Sequence, residues 1–143
     1  MISTKGRYAL RLMIDIALNQ NNGYVTLKDS SLRENLSLKY LEQVASILTR
    51  ANLIISYRGN NGGYRLSRNP KDYKIGDILR AAEGTLAPVA CLECNYNCDR
   101  RDICTTLDFW KDFNDTINNF VDNVTLENLV EKAKSKLENN YSI

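Results

Sequence analysis

Histidine is absent from the 143-residue sequence. This absence excludes acid–base catalysis by histidine and metal ligation by histidine. No stretch approaches the run of about 18 apolar residues that a membrane-spanning helix requires, and the N-terminus lacks the apolar core and small-residue cleavage site of a signal peptide. Paired carboxylates in a plausible cleft, a nucleophile with an adjacent base and a nucleotide-binding loop are also missing. We therefore expect a cytoplasmic protein that is neither an enzyme nor a membrane protein.

The charged residues divide the chain into a basic half and an acidic half. Residues 1–80 contain 13 Lys and Arg against 6 Asp and Glu, a net charge of +7, whereas residues 81–143 contain 6 against 11, a net charge of −5. The length suits a single domain, or one domain with a short appendage, that buries its own core. Because only the basic half is suited to a polyanion, we expect a nucleic acid to bind there.

All four cysteines lie within 14 residues, in the spacing Cys-x2-Cys-x3-Cys-x5-Cys. Core packing does not produce such clustering, and these spacings let consecutive thiolates converge on one metal centre. Thiolates favour iron–sulfur clusters, zinc or copper(I) over hard cations. The leading interpretation is an iron–sulfur cluster, [2Fe–2S] or [4Fe–4S], with structural zinc, a metal-free thiol switch and a disulfide scaffold as alternatives. The predicted metal ligands are Cys91, Cys94, Cys98 and Cys104.

Three segments with helical apolar spacing fill the first third of the chain. The pattern predicts a helix that ends near residues 21–23, a short helix over 27–34 and a third helix that runs to about residue 52. A helix, a tight turn and a longer helix together are typical of a helix-turn-helix. The residues suited to cap or stop these helices are Ser3 or Thr4, Thr26, Asn35 and Ser37.

A β-hairpin is predicted directly after the third helix. Residues 53–58 have strand composition, residues 59–63 form a turn rich in Gly and Asn, and residues 64–66 return as a second strand. The loop joins two strands rather than a strand and a helix, which excludes a phosphate-binding loop. A hairpin in this place, with arginines at its edges, resembles the wing of a winged helix.

In such a unit the first turns of the second motif helix lie nearest the base edges in the major groove. Lys39 is suited to guanine, Glu42 to cytosine and Gln43 to adenine, whereas Tyr40 is suited to phosphate or a thymine methyl group. Arg58 is suited to a narrow minor groove, and the cations at the start of the first helix indicate an external anion. A solvated helix surface is the alternative for each residue. The predicted DNA-binding residues are Lys5, Arg7, Ser37, Lys39, Tyr40, Glu42, Gln43, Arg58 and Arg65.

The acidic half is predicted to be helical apart from the cysteine segment. Asp102 is suited to cap a helix beginning at Ile103, which would place Cys104 in the first turn, where the helix dipole favours a thiolate. Thr125 is suited to cap a last helix, and the tail from Asn139 is expected to fray. The intervening helix carries an apolar seam that packs either on its own domain or on a second copy of the chain. Its members are Leu107, Trp110, Phe113, Ile117, Phe120 and Val124.

The predicted fold is mainly α with a small β-hairpin: a winged helix-turn-helix domain plus a long dimerisation helix. We expect a DNA-binding domain over residues 1–84, a cysteine-rich loop over 85–104 and the dimerisation and C-terminal helices over 105–143. Three stretches of the basic half, the cysteine block and Trp110 resemble the Rrf2 family of bacterial winged-helix regulators. The three stretches are Ser3-Thr-Lys-Gly-Arg-Tyr-Ala9, Leu38-Lys-Tyr-Leu-Glu-Gln43 and Arg58-Gly-Asn-Asn-Gly-Gly-Tyr64.

The resemblance implies a homodimer that binds double-stranded promoter DNA, as a repressor or sensor, under the control of an iron–sulfur cluster beside the dimerisation helix. By position it assigns DNA reading to Lys39, Tyr40, Glu42 and Arg58, and cluster ligation to Cys91, Cys98 and Cys104.

The chain departs from the family pattern at the fourth ligand. The position where some members carry a ligating histidine is Leu107, and the position of an acidic ligand in others is Tyr8. Cys94 then remains either as a fourth thiolate or as a spare thiol. Zinc-stabilised and thiol-redox regulators, and a small iron–sulfur electron-transfer protein, are the competing classes.

Overall fold

A computed structural model describes residues 1–141, and within that range the chain forms six α-helices and one two-stranded antiparallel hairpin. The predicted fold class is therefore confirmed. None of the helices in this range is long and apolar enough to cross a membrane. The elements are α1 (Thr4–Asn19), α2 (Leu27–Glu34), α3 (Leu38–Arg50), β1 (Ile54–Tyr57), β2 (Gly63–Leu66), α4 (Ile75–Glu83), α5 (Leu107–Asp122) and α6 (Leu126–Tyr141).

Polar side chains cap the first three helices as the sequence predicts. Ser3, Thr26 and Ser37 accept hydrogen bonds from backbone N–H groups two or three residues further on, at 3.1, 3.1 and 3.3 Å. Asn35 ends α2 with a left-handed φ of 52°, a conformation that Asn tolerates better than most residues. Asn35 and Ser37 thus fix where α2 ends and α3 begins, on either side of the short turn between them.

Helix α1 ends two to four residues before its predicted end, and α3 ends about two residues before its predicted end. A short 3-10 turn over Gln20–Asn22 follows α1, and Asn52 takes a left-handed φ of 59° just after α3. At the other end of the chain, α6 is helical through Tyr141. The predicted fraying is thus not observed at residues 139–141, and residues 142 and 143 lie outside the described range.

A buried carboxylate joins α1 to α2. Asp15 is 2% exposed, and each of its two oxygens accepts a hydrogen bond from the guanidinium of Arg33 at 2.8 Å. Ser30, which is fully buried, donates its hydroxyl hydrogen to the same carboxylate at 2.5 Å. The hydrogen bonding of Arg33 to the Asp15 carboxylate is the main cause that raises the pKa of Arg33. A buried charge is tolerated because it is paired and hydrogen-bonded.

The hairpin is attached to the helices by a third strand-like segment. Val25, in the loop before α2, exchanges backbone hydrogen bonds with Tyr64 of β2, at 2.8 and 2.7 Å. A Cβ atom at Gly63 would lie 2.5 Å from the carbonyl oxygen of Val25, and one at Gly62 would lie 2.3 Å from that of Tyr57. Gly63 therefore allows the hairpin to approach the segment before α2, whereas Gly62 allows close backbone approach within the hairpin itself.

The core lies between α1, α3, α4 and the inner face of the hairpin, and α6 closes it from one side. Leu126 of α6 is fully buried, and its N–H donates to the carbonyl oxygen of Tyr73 at 3.1 Å. The Tyr73 side chain is also fully buried, and its hydroxyl donates to the carbonyl oxygen of Leu53 at 2.7 Å. The C-terminal helix is thus anchored to the body that carries α3.

Candidate nucleic-acid interface and cysteine loop

The first turns of α3 form an exposed surface. Lys39, Glu42 and Gln43 are all exposed, while the hydroxyl of Ser37 is held by the cap described above. Beside them runs an open groove of about 470 Å³. Its lining joins α3 to the start of α1 and consists of Lys5, Lys39, Tyr40, Glu42, Gln43, Val44, Ser46, Ile47 and Arg50. The structure therefore brings Lys5 together with the predicted base-reading residues.

The ring of Tyr40 is held by α1. It is half-buried and packs edge-on against the ring of Tyr8, with the centroids 5.2 Å apart. The guanidinium of Arg11 lies 5.9 Å from the Tyr8 centroid and forms an ion pair with Glu34 at 2.9 Å. These contacts fix the orientation of Tyr40 relative to α1.

The start of α1 is already occupied by an internal carboxylate. The Oε1 atom of Glu83 accepts hydrogen bonds from the N–H of Ser3 at 2.7 Å and the N–H of Gly6 at 2.9 Å. The cations here suggested an external anion, but the backbone donors of Ser3 and Gly6 are directed at Glu83. Only the exposed side chains of Lys5 and Arg7 remain available to a polyanion.

The two wing arginines lie on the exposed side of the hairpin. Arg58 follows β1 and is exposed, and Arg65 lies opposite Ile55 in the antiparallel register and is also exposed. The guanidinium of Arg65 is 5.9 Å from the ring of Tyr24, which stacks on Tyr57 with the centroids 5.0 Å apart. Sequence reasoning missed this aromatic pair, because Tyr24 lies in a loop far from the hairpin in sequence.

The cysteine loop consists of short turns between α4 and α5. Cys91 lies in a 3-10 turn over Ala90–Leu92; Cys91 and Cys98 are half-buried, Cys94 and Cys104 are exposed, and all four thiols are free. Free, accessible thiols are the donor set that iron–sulfur clusters and zinc require. Among residues 1–141, however, no group of three or more Cys, Asp or Glu side chains lies close enough to hold a metal ion. The donors fit such a centre chemically, and the loop would have to close for them to converge.

The predicted helix start at Ile103 is wrong. Arg101–Ile103 form a 3-10 turn, Cys104 has an extended backbone with ψ of 115°, and α5 begins at Leu107. Two consecutive β-branched threonines separate Cys104 from α5, and such residues lose side-chain freedom in a helix. Asp102 lies inside the 3-10 turn and does not cap α5.

The thiol of Cys104 nevertheless has a lowered pKa, from a different cause. The backbone N–H of Thr106 contributes most, followed by the Thr106 hydroxyl, whose oxygen lies 3.7 Å from Sγ. Hydrogen bonds to the charged form favour the thiolate, which is the reactive and metal-binding form of cysteine.

A guanidinium joins α4 to α5. Arg80 donates to both carboxylate oxygens of Asp122, at 2.8 and 2.9 Å, and to the side-chain oxygen of Asn118 at 2.6 Å. This pairing lowers the pKa of Asp122, chiefly through the side-chain hydrogen bond from Arg80. The residues that follow the cysteine loop are therefore tied to the helix that precedes it.

The apolar seam of α5 is only partly covered within one chain. Val121 is 8% exposed, but Phe113 and Phe120 are 44% and 69% exposed, and Phe109 on the same helix is 60% exposed. A cavity of about 330 Å³ lies beside this face. Its lining consists of Met1, Ile2, Thr85, Leu86, Pro88, Trp110, Phe113 and Ile117. Packing on its own domain therefore does not cover the aromatic part of the seam.

A helix-turn-helix followed by an attached hairpin, with Lys5, Lys39 and Arg50 lining one groove, defines a winged-helix DNA-binding protein. The chain belongs to the Rrf2 family, whose model is described as an iron-dependent transcriptional regulator and matches residues 2–132. It is therefore a transcription regulator rather than an enzyme.

Among the similar proteins is the HTH-type transcriptional regulator IscR of Pectobacterium atrosepticum. It is 38% identical over 133 residues, which cover 93% of this chain and 80% of that protein. Among solved structures, CymR (YrzC), the global cysteine regulator of B. subtilis, is 39% identical with a TM-score of 0.75, covering 92% of this chain and 97% of that chain. T. potens IscR is 35% identical with a TM-score of 0.74, covering 93% and 88%. The family indicated by the sequence motifs is thus confirmed.

Proposed function

We propose that this chain is a homodimeric regulator that reads promoter DNA with α3 and the hairpin, and that an iron–sulfur cluster held by the cysteine loop modulates its DNA affinity. The observation that carries the DNA part is the exposed start of α3, where Lys39, Glu42 and Gln43 share one open groove with Lys5. Side chains at this position reach base edges in related architectures, and the surrounding cations contact phosphates.

The DNA-reading assignment can be tested with duplexes selected from a random pool by the wild-type protein. In fluorescence anisotropy, Lys39→Ala should relax the base preference at one position or lower the slope of log K against log salt by about one. Lys134→Ala, a matched loss of charge on α6, should change neither. A protein that selects no common sequence from the pool would contradict base reading.

The ligands proposed for the cluster are Cys91, Cys94, Cys98 and Cys104. A bound cluster would supply a redox-labile centre whose loading depends on iron and oxidants. The chain's own contribution is to keep the four thiols free and reachable and to favour the thiolate at Cys104. IscR-named relatives and the family description as iron-dependent support iron over zinc.

Protein purified without oxygen should contain iron and acid-labile sulfide, which colorimetric analysis measures. Cys91→Ala and Cys94→Ala should each remove the cluster if both thiols are ligands. Retention of a stable cluster in Cys94→Ala alone would show that Cys94 is a spare thiol. Colourless, zinc-containing protein would instead support the zinc-stabilised alternative. Equal DNA affinity with and without the cluster would remove the sensing role and leave the DNA-binding role.

A thiol-based regulator is a second candidate, favoured by two observations. The structure of CymR in its oxidized form, from Staphylococcus aureus, is 36% identical to this chain with a TM-score of 0.70, and the four thiols here do not converge within residues 1–141. In this case metal-free protein should change its DNA affinity on treatment with an oxidant, and Cys104→Ala should abolish the response. Insensitivity of metal-free protein to oxidant would exclude this candidate.

A further inference from the structure

Glu83 makes a contact that the proposed function does not explain. It is the last residue of α4, and its Oε1 atom accepts three hydrogen bonds from the start of α1. The donors are the N–H of Ser3 at 2.7 Å, the hydroxyl of Ser3 at 2.8 Å and the N–H of Gly6 at 2.9 Å. One carboxylate oxygen thus holds the first turn of the helix that carries Lys5 and Arg7.

The position of Glu83 is unfavourable for a helix but favourable for this contact. An acidic side chain at a helix C-terminus is opposed by the helix dipole, whereas the same charge at a helix N-terminus is stabilised. Desolvation acts to raise the pKa of Glu83, but the hydrogen bonds from Ser3 and Gly6 outweigh it, so that the pKa is lowered. The interaction with α1 therefore compensates for the unfavourable end of α4.

Gly6 is the residue that lets the carboxylate approach. It is buried in the first turn of α1, and a Cβ atom there would lie 2.5 Å from Glu83 Oε1. A methyl group would force that oxygen away from its three donors. The glycine is thus explained by the carboxylate and not by backbone conformation, since Gly6 lies inside a regular helix.

Lys5 links the first turn of α1 to the DNA-facing surface. Its N–H donates to the hydroxyl oxygen of Ser3 at 3.1 Å, and that hydroxyl donates to Glu83. Its side chain lines the same groove as Lys39 of α3, and Arg7 is exposed two residues further on. The backbone that bears both cations is therefore fixed by Glu83.

We propose that Glu83 is a positioning residue for DNA binding, which fixes the first turn of α1 so that Lys5 and Arg7 contact phosphates beside α3. This inference rests on the proposed DNA-binding function. Glu83 touches no DNA itself. Glu83→Ala removes the acceptor, whereas Glu83→Gln keeps a side-chain oxygen in the same place without the charge.

The expected effect on DNA is specific to these contacts. Glu83→Ala should weaken binding by no more than the combined Lys5→Ala and Arg7→Ala substitutions do, and should lower the salt slope by about 1–2 because up to two phosphate contacts are lost. Glu83→Gln should restore most of the affinity. In a background that carries Lys5→Ala and Arg7→Ala, Glu83→Ala should have no further effect on affinity. An equal, additive loss in that background would overturn the proposal.

Gly6→Ala provides an independent test, because helix propensity and the contact with Glu83 predict opposite effects of this substitution. Alanine is a better helix former than glycine, so the substitution should stabilise α1 unless the carboxylate is displaced. We expect Gly6→Ala to weaken DNA binding in the wild-type background and to have no such effect in the Glu83→Ala background. A gain or no change in affinity in the wild-type background would contradict the proposal.

Amide hydrogen exchange separates this inference from the DNA-binding function. Exchange of the Gly6 amide should be faster in Glu83→Ala than in the wild type, while Glu127→Ala, a matched loss of charge on α6, should leave it unchanged. Unaltered exchange in Glu83→Ala would show that Glu83 does not hold the first turn of α1. If the wild-type protein bound no duplex, the proposed function and the DNA role of Glu83 would both fail, and this measurement would still decide the contact.

Discussion

Replacement of Asp15 by Asn tests whether the buried carboxylate secures the helix-turn-helix. The side chain of Asp15 is 3% exposed and that of Arg33 is 38% exposed, so the pair is buried on one side only. Asparagine has nearly the same shape, but it carries no charge and presents an amide donor to at least one of the groups that now donate to Asp15. The change thus removes charge and hydrogen bonds with little effect on packing.

The expected loss of stability follows from the interactions that Asp15 makes with Arg33 and Ser30. Removal of one partner from a fully buried ion pair costs about 3–5 kcal/mol, but Arg33 can turn towards solvent, which reduces that figure. With the amide oxygen in the place of Oδ2, the buried hydroxyl of Ser30 and Nη2 of Arg33 keep their acceptor, but Nε of Arg33 then faces the amide group. Hydrogen bonds to charged groups contribute about 1.5–3 kcal/mol each. We therefore expect Asp15→Asn to lower the free energy of unfolding by about 2–3 kcal/mol.

Urea unfolding at one fixed protein concentration measures this cost. With a slope near 2 kcal/mol per molar urea, the midpoint should fall by about 1–1.5 M while the slope stays constant. The matched control is Glu34→Gln, because Glu34 joins the same two helices through an exposed pair with Arg11, whose side chains are 43% and 28% exposed. That control should cost about 0.2–1 kcal/mol. If the two variants lost equal stability, burial of Asp15 would not be the source of its contribution.

Three further predictions concern acid stability, self-association and the wing. The lowered pKa of Asp122 means that its pairing with Arg80 stabilises the fold fully above the ordinary carboxyl value of 3.8 and is lost as the pH falls through the lower folded value. Asp122→Asn should therefore destabilise the protein at pH 7 and flatten the loss of stability below about pH 4, as measured by denaturation over a pH series. Phe113→Glu combined with Phe120→Glu should convert a dimer to a monomer in sedimentation equilibrium, and an unchanged mass would contradict association through α5. Arg58→Ala should lower the salt slope of DNA binding by about 0.9 if its guanidinium contacts one phosphate, and an unchanged slope would place Arg58 away from the DNA backbone.

Local signals in the sequence were sufficient to predict most helices and strands of the DNA-binding half. Ser3, Thr26 and Ser37 cap helices because their hydroxyl groups satisfy backbone donors close in sequence, and Asn35 stops α2 for an equally local reason. The bounds of α2 were predicted correctly, and the ends of α1 and α3 were predicted to within about four residues. The third strand-like segment at Val25 was not predicted, because its partner Tyr64 is distant in sequence.

The cysteine segment shows the limit of the same approach. The cap assigned to Asp102 obeyed a local rule, yet the helix begins four residues later than predicted, after a 3-10 turn and an extended Cys104. Spacing alone identifies four thiols that belong together but does not fix the turns between them. Sequence reasoning overlooked one signal at Glu83. An acidic residue at the C-terminus of a helix is opposed by the helix dipole, which indicates a compensating partner elsewhere in the fold.

Side chains clamp α4 to two other elements. Arg80 attaches it to Asp122 of α5, and Glu83 attaches it to the first turn of α1. Any change in the cysteine loop that displaced α5 would require α4 either to follow or to lose the hydrogen bonds of Arg80, and movement of α4 would in turn strain the contact with α1. The side chains of Arg80 and Asp122 are 33% and 34% exposed, and ion pairs this accessible to solvent contribute up to about 1 kcal/mol, which as a coupling would alter affinity roughly 5-fold. The loss of the contact between Arg80 and Asp122 would therefore match the lower end of the couplings of about 1–3 kcal/mol that regulate binding.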